Sequence, residues 1–167
     1  MFPRIIENHP PVEASPDLRE YQRAIRSGQP GSYYYVKLLG ISQHNPLLLV
    51  KRVERGLSFN ALERFQRNTM MSFRELAEVI DIKIRTLHRR KGQGRLEPGE
   101  SDRLLRFSRI FGKALELFEG DVEATRRWLS APVRALGSER PIALARTDVG
   151  AREVEALIGR LEHGVVS

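Results

Sequence analysis

The stretch FRELAEVIDIKIRTLHRR, from Phe73 to Arg90, is the most informative about how this chain folds. Its apolar residues follow the helical period on both sides of a short break, which predicts two helices joined by a turn. Ala77 is the small residue that such a pair needs where the two helices touch. Asp81 stands in the turn, where glycine is usual, and aspartate tolerates a left-handed backbone better than most residues. The inward positions are taken by Leu76, Ile80, Ile82 and Leu87.

The second helix of this pair is the basic one. From Ile82 to Arg95 the sequence has six Lys and Arg residues and no acidic residue. Such a helix-turn-helix is typical of DNA binding, because cations neutralise phosphates and guanidinium groups hydrogen-bond to guanine edges in the major groove. The alternative is an ordinary helical hairpin with a solvated basic face. The predicted DNA contacts are Lys83, Arg85, Thr86, Arg89, Arg90 and Lys91.

The net charge of +7 is concentrated in the first part of the chain. Residues 1–95 hold 17 Lys and Arg against 9 Asp and Glu, whereas residues 96–167 hold 11 against 12. This asymmetry favours a nucleic-acid-binding module joined to a neutral partner-binding module. We therefore divide the chain into three parts, which are an N-terminal arm with a possible dimerisation segment (1–45), a helix-turn-helix domain (46–95) and a C-terminal domain (96–167).

The rest of the sequence predicts an all-α fold. A proline-rich arm over residues 1–17 is followed by a helix that begins near Leu18. The apolar run Tyr33–Ile41 fits either a strand or a short helix, and we favour a helix because the surrounding chain is helical. An apolar stripe between Glu100 and Phe118 indicates a long core helix. Further helices are predicted over Leu47–Val53, after Ser58, after Ser72, after Asp121 and from Thr147 to Leu161.

Self-association is expected in the N-terminal part of the chain. A single helix-turn-helix usually gains its specificity from two copies on a two-fold DNA site. The run Tyr33–Ile41 and the helix Leu47–Val53 carry more apolar surface than a short N-terminal region can bury alone. We therefore expect a homodimer that is formed through these two segments.

Several classes of function are disfavoured by residues that the chain lacks. It has no cysteine, which excludes disulfide scaffolds, thiolate zinc sites and cysteine nucleophiles. The four histidines, which are His9, His44, His88 and His163, have no metal-ligand spacing. Nothing supplies an activated nucleophile or a paired acid and base, so an enzyme acting on nucleic acid is the weakest hypothesis. We expect no catalytic site, no metal and no cofactor. Without a secretory signal or a membrane span, we expect a cytoplasmic protein.

Several short sequence motifs occur one after another in the second half of the chain. They include ESDRLLRFSRI from Glu100, ALELFEGD from Ala114, WLSAP from Trp128 and GRLEHGV from Gly159. Upstream stand RT at Arg85 and RR at Arg89. In the identity and order of these segments, residues 95–167 resemble the toxin-binding domain of the MbcA/ParS/Xre antitoxins. With the helix-turn-helix, the resemblance covers roughly the last 100 residues. Lys83 departs from the small polar residue that is commoner at the start of the second helix.

The resemblance implies an antitoxin of a two-gene toxin–antitoxin module. Its partner would be a RES-domain toxin that consumes NAD or transfers from it, so NAD would belong to the partner. The antitoxin would repress its own promoter, and its C-terminal segment would cover the active-site cleft of the toxin. The alternative is a stand-alone transcriptional regulator whose C-terminal domain only oligomerises. The toxin-binding residues implied are Arg160, Glu162, His163, Gly164, Val165, Val166 and Ser167.

Overall fold

The computed structural model describes residues 14–28, 30–42 and 44–164. Within these ranges there are nine α-helices and two 3₁₀ segments, and no β-strand beyond two isolated bridges. The α-helices are α1 Pro16–Ser27, α2 Pro46–Arg55, α3 Phe59–Thr69, α4 Phe73–Val79, α5 Ile84–Gln93, α6 Pro98–Leu117, α7 Val122–Ser130, α8 Pro141–Leu144 and α9 Asp148–Glu162. The 3₁₀ segments are Tyr34–Leu39 and Arg134–Leu136. The all-α prediction is confirmed.

Helix α6 is the centre of the molecule. The apolar stripe predicted for it is buried at Leu104, Phe107, Phe111, Ala114 and Leu115. Phe65 on α3 packs edge-on against Phe107 and Phe111, with ring centroids 6.0 Å and 5.8 Å apart. These rings join the two halves of the chain in one continuous core. The helix-turn-helix and the C-terminal helices therefore have no separate interiors.

Polar side chains fix the points at which the helices begin, as the sequence predicts. Ser58, Ser72, Asp121 and Thr147 each accept a backbone N–H from the first turn of α3, α4, α7 and α9 respectively. Ser72 also forms a capping box, because its own N–H donates to Glu75 Oε2 at 2.7 Å. These four predicted helix starts are confirmed.

The helix that the sequence predicts from near Leu18 packs into the core, and it begins slightly earlier, inside the predicted arm. Helix α1 begins at Pro16, and Ser15 caps it by accepting the N–H of Leu18 at 3.1 Å. Tyr21 is buried, and its hydroxyl donates to Glu116 Oε1 on α6 at 2.9 Å. The prediction of an extended arm is therefore wrong for the residues just before Leu18. Residues 1–13 of the predicted arm lie outside the described residues.

The run Tyr33–Ile41 folds as a 3₁₀ helix over Tyr34–Leu39, which agrees with the preference for a short helix. It packs against α3 and α6, and Val36, Leu38 and Leu39 are buried. The chain's own helices cover most of its apolar side chains, so this run does not offer the free apolar surface on which the expected self-association was based. On α2, by contrast, Leu47 and Val50 remain exposed at 73% and 53%.

Candidate nucleic-acid and partner interfaces

A tight turn joins α4 and α5. Asp81 adopts a left-handed backbone with φ 55°, which is the conformation that glycine usually provides at this point. The N–H of Ile82 donates to the Ala77 carbonyl at 3.0 Å, so the end of α4 is hydrogen-bonded to the turn. Lys83 is the first residue outside α5 and makes no side-chain cap, in agreement with its unusual type at that position.

Helix α5 presents most of its surface to solvent. Leu87 is its one buried residue and anchors it against the core. Thr86 is half-buried, whereas Lys83, Arg85, Arg89 and Lys91 are exposed. Lys91 lies 3.7 Å from Glu63, and in the part of the chain that the structure describes the other three have no carboxylate partner. The outward face of α5 therefore carries positive charge that no neighbouring acid balances.

Arg90 does not belong to this outward face. Its guanidinium donates to both carboxylate oxygens of Glu100 at 2.8–3.0 Å, and the side chains are only 11% and 6% exposed. Burial alone would raise the pKa of Glu100, but hydrogen bonds from Arg90 and from the Glu97 N–H outweigh it and lower the pKa. The prediction that Arg90 contacts DNA is wrong, because a buried carboxylate needs this guanidinium.

The predicted toxin-binding segment lies at the end of α9. Arg160, Glu162, His163 and Gly164 are all exposed, and Gly164 has a positive φ of 67°. Val165, Val166 and Ser167 lie outside the described residues. The described part of the segment is therefore accessible to a partner protein.

The position of α9 is set by α6. Glu155 accepts hydrogen bonds from Arg109 and Lys113, both at 2.8 Å. Burial alone would raise the pKa of Glu155, and the hydrogen bonds from Lys113 and Arg109 lower it below the usual value. Val154, Leu157 and Ile158 fill the inner face of α9. The exposed end of α9 thus projects from a firmly held helix.

Arginines of the C-terminal half also contact the helix-turn-helix, and these contacts were not predicted from the sequence. Arg140 lies 2.7 Å from Glu78 on α4, and Arg146 lies 3.5 Å from Asp81 in the turn. Two more arginines donate to main-chain carbonyls of this region, namely Arg126 to Met70 at 2.6 Å and Arg103 to Ile80 at 2.6 Å. Isolated arginines carry no sequence signal that reveals such partners. The helix-turn-helix and the C-terminal half of the chain are therefore connected directly.

Metal sites and membrane spans are absent from residues 14–28, 30–42 and 44–164. No group of three or more His, Asp or Glu side chains there is arranged to hold a metal ion. Over the same ranges, every helix is too short or too polar to cross a membrane.

Family models match both halves of the chain. Residues 48–109 match the antitoxin Xre-like helix-turn-helix domain, and residues 113–164 match the antitoxin Xre/MbcA/ParS C-terminal toxin-binding domain. The first match covers α2 to α5 and the start of α6, and the second covers the end of α6 and the helices after it. Neither model describes an enzyme.

Two curated relatives agree with these matches. "Antitoxin Xre" of Yersinia enterocolitica is 36% identical over 130 residues, which is 77% of this chain and 88% of the relative. "Antitoxin Xre" of Photorhabdus laumondii is 34% identical over 116 residues, 69% of this chain and 78% of the relative. With its helix-turn-helix and its toxin-binding domain, this chain belongs to the Xre antitoxin family.

Proposed function

We propose that this chain inhibits a RES-domain toxin that consumes NAD, and that it represses its own promoter through α5. The resemblance of the C-terminal half to the MbcA/ParS/Xre antitoxins supports the choice of toxin. The family matches support two roles for this chain, which are binding to a toxin protein and binding to DNA. Both roles place the chain in the cytoplasm, together with the promoter and the NAD that the toxin uses.

One observation carries the DNA-binding half of the proposal. Lys83, just before α5, and Arg85 and Arg89 on this helix are exposed and lack a carboxylate partner among the described residues. A helix that follows a tight, hydrogen-bonded turn and presents unbalanced guanidinium groups fits the major groove, where arginine reads guanine. We assign base contacts to Arg85, Thr86 and Arg89, and phosphate contacts to Lys83 and Lys91.

The toxin-binding half of the proposal concerns residues 160–167. Arg160 is exposed, and its guanidinium would pair with an acidic group of the toxin. Val165 and Val166 would fill apolar space in the toxin's cleft and so exclude the substrate. On this proposal, inhibition comes from occupation of the cleft and needs no chemistry from this chain.

We further propose that the chain acts as a homodimer within the toxin–antitoxin complex. A two-fold operator requires two recognition helices at a fixed spacing. The exposed pair Leu47 and Val50 on α2 supports an apolar contact outside the core. Light scattering of the wild-type chain and of a Leu47→Ser, Val50→Ser variant tests this, since a dimer should become a monomer. An unchanged mass would assign dimerisation to another surface.

Co-expression with the neighbouring gene tests the main proposal directly. The neighbour alone should arrest growth and deplete NAD, and this chain should restore both. Repression is measured with a reporter gene fused to the chain's promoter. A double variant, Arg85→Ala with Arg89→Ala, is the control. That variant should lose repression and still protect the cells. A neighbour that is harmless when expressed alone would contradict the toxin assignment and would favour a stand-alone regulator.

A further inference from the structure

A basic cleft lies between the end of α2, the start of α3 and the residues that follow α5. Its volume is about 730 Å³, and among the described residues no acidic side chain lines it. Ser58 and Asn60 add polar groups to the lining. The cationic side chains of the lining are Lys51, Arg52, Arg55, Arg64 and Arg95. None of these five residues has a role in the functions proposed above.

Two of the five cations have partners within the chain. Arg64 lies 3.3 Å from Asp17 on α1. Arg95 donates to the main-chain carbonyls of Arg55 and Gly56 at 3.0 Å and 2.8 Å, and so covers the end of α2. Both side chains are thereby held at the edge of the cleft.

The three cations on α2 have no such partners among the described residues. Lys51, Arg52 and Arg55 are exposed, and no carboxylate of the described residues lies within salt-bridge distance of them. Three like charges within two turns of one helix repel each other, and a bound anion would relieve that repulsion. The cleft therefore favours a polyanionic ligand.

The cleft begins where α5 ends. Gly94 terminates α5, and its carbonyl accepts the N–H of Phe59 at the start of α3 at 2.9 Å. The next residue, Arg95, forms an isolated antiparallel bridge with Ser58. A short main-chain connection therefore links the exposed cations of α5 to the rim of the cleft.

We propose that this cleft binds the phosphate backbone of the DNA whose bases α5 reads. This inference rests on the proposed DNA binding by α5. Arginine, lysine, serine and asparagine are the side chains that usually contact phosphates, and such contacts position a protein without reading sequence. Leu39, Leu57 and Ala61 in the lining are buried, so the cleft offers little apolar surface to anchor a protein segment. The backbone therefore lies against α2 on the flank of the bases that α5 contacts.

The test replaces the three unbalanced cations, in a Lys51→Gln, Arg52→Gln, Arg55→Gln variant. Glutamine keeps the helix preference of these side chains and removes their charge. Affinity for a labelled duplex of the chain's promoter is measured by anisotropy over a range of salt concentrations. The triple variant should bind more weakly, and its plot of log K against log salt should be shallower by about 0.9 for each phosphate that is no longer neutralised.

A matched control removes the same net charge elsewhere. Arg127, Arg134 and Arg152 are exposed in the C-terminal half, outside the cleft lining. Their triple glutamine variant should keep the wild-type salt dependence. An equal loss in both variants would overturn the proposal, because net charge alone would then explain the effect. Thermal melting of both variants checks that the fold is retained, as the exposed positions lead us to expect.

The single Arg52→Gln variant should show about a third of the triple variant's change in slope, and a wild-type slope in this variant would overturn Arg52 as a contact.

The remaining outcomes separate this proposal from the one on which it depends. If the wild-type chain binds no duplex, both α5 and the cleft lose their DNA assignment. If it binds and the triple variant keeps the wild-type slope, the cleft assignment alone is overturned. A triple variant that keeps this slope but loses co-purification with the toxin would also overturn it, and would assign the cleft to an acidic segment of the toxin.

Discussion

Two residues, one in the turn before α5 and one near its end, connect this helix to the rest of the fold. Asp81 turns the chain before the helix with a positive φ, and Arg90 binds the last turns of α5 to Glu100 on α6. Arg85 and Arg89 lie between these points and remain exposed. The side chains proposed to read DNA are therefore solvent-facing groups on a helix that is itself held firmly.

Replacement of the proposed base contacts should weaken DNA binding. We expect Arg85→Ala and Arg89→Ala each to reduce promoter affinity by about 1–3 kcal/mol, because each removes a guanidinium contact to a base edge. Lys91→Ala should instead weaken binding to all duplexes alike and lower the salt slope by about 1. Gel-shift titrations at two salt concentrations measure both effects. Wild-type affinity in both arginine variants would rule out α5 as the recognition helix.

The neighbouring Arg90 should govern stability rather than recognition. Arg90→Ala leaves the Glu100 carboxylate buried without its main partner, so the free energy of unfolding should fall by about 3 kcal/mol. The matched change Arg89→Ala is at an exposed position and should stay within about 0.5 kcal/mol of wild type. Urea denaturation at pH 7 measures this difference. Equal stabilities for the two variants would contradict the structural role of Arg90.

The same pair predicts how this stability difference depends on pH. The folded pKa of Glu100 lies below its usual value, so the carboxylate contributes stability above its unfolded pKa. That contribution is lost as the pH falls toward the folded pKa. The gap between wild type and Arg90→Ala should therefore be complete at pH 7 and should narrow below about pH 4. A gap that stays constant between pH 7 and pH 3 would show that the charge on Glu100 is not its cause.

At the scale of elements, the end of α2 makes a close main-chain contact with the residues that follow α5. Gly56 ends α2 with φ 82°, and a Cβ placed there would lie 2.1 Å from the Leu96 carbonyl oxygen. A close main-chain contact therefore holds the end of α2 beside the residues that follow α5. Gly92 is also near a helix end, but outside its chain neighbours and the backbone of its own helix no atom lies within 4 Å of the position that a Cβ would take there.

These two glycines give a matched pair of substitutions. Gly56→Ala should lower the free energy of unfolding by about 2–4 kcal/mol, because it adds backbone strain and a clash with main-chain atoms. Gly92→Ala should raise it by about 0.5–1 kcal/mol through its better helix preference. Thermal and urea denaturation measure both values. A neutral Gly56→Ala variant would mean that α2 can move away from Leu96 at no cost.

The end of α9 should be required for inhibition and not for folding. Deletion of residues 160–167 removes Arg160, Glu162, His163 and Gly164, which are exposed, while Val154, Leu157 and Ile158 keep α9 in the core. The truncated chain should retain its helical circular dichroism and its promoter affinity, and it should fail to protect cells from the toxin. If the truncated chain still protects cells fully, inhibition comes from another surface, such as α6.

At the scale of the whole molecule, the two matched domains share one interior. Phe65 of α3 packs against Phe107 and Phe111 of α6, and α6 is shared between the two matched ranges. Arg140 adds a contact from the C-terminal half to Glu78 on α4. The two proposed interfaces therefore lie on one continuous set of packed helices.

This shared core predicts that the helix-turn-helix does not fold alone. A fragment of residues 46–95 lacks α6, so Phe65, Leu62 and Leu76 would lose much of their apolar cover. We expect it to be largely unfolded by circular dichroism, whereas the full chain should unfold in one cooperative transition. The fragment 46–117, which regains α6, serves as the comparison and should be more helical. A cooperative melt from 46–95 would show that the core is divisible.

Most of the secondary structure was predictable from the sequence, but which segments are buried was not. The caps Ser58, Ser72, Asp121 and Thr147 act within their own first turns, so local sequence identifies them. Tyr33–Ile41 was correctly expected to be helical, yet the sequence did not show that the chain itself buries most of the apolar side chains of this run. Exposure depends on what packs against a segment, and here that includes α6, which lies far away in sequence.

The sequence sufficed to establish the all-α class, the helix-turn-helix and the family, because periodicity, caps and turn residues operate over a few neighbouring positions. It could not separate Arg89 from Arg90, which are adjacent and carry the same charge. Packing places Arg90 against Glu100 and leaves Arg89 in solvent. The basic cleft likewise exists because folding brings α2, Arg64 and Arg95 together. Interactions between segments distant in sequence leave no local pattern, so the distribution of these charges is a property of the folded chain.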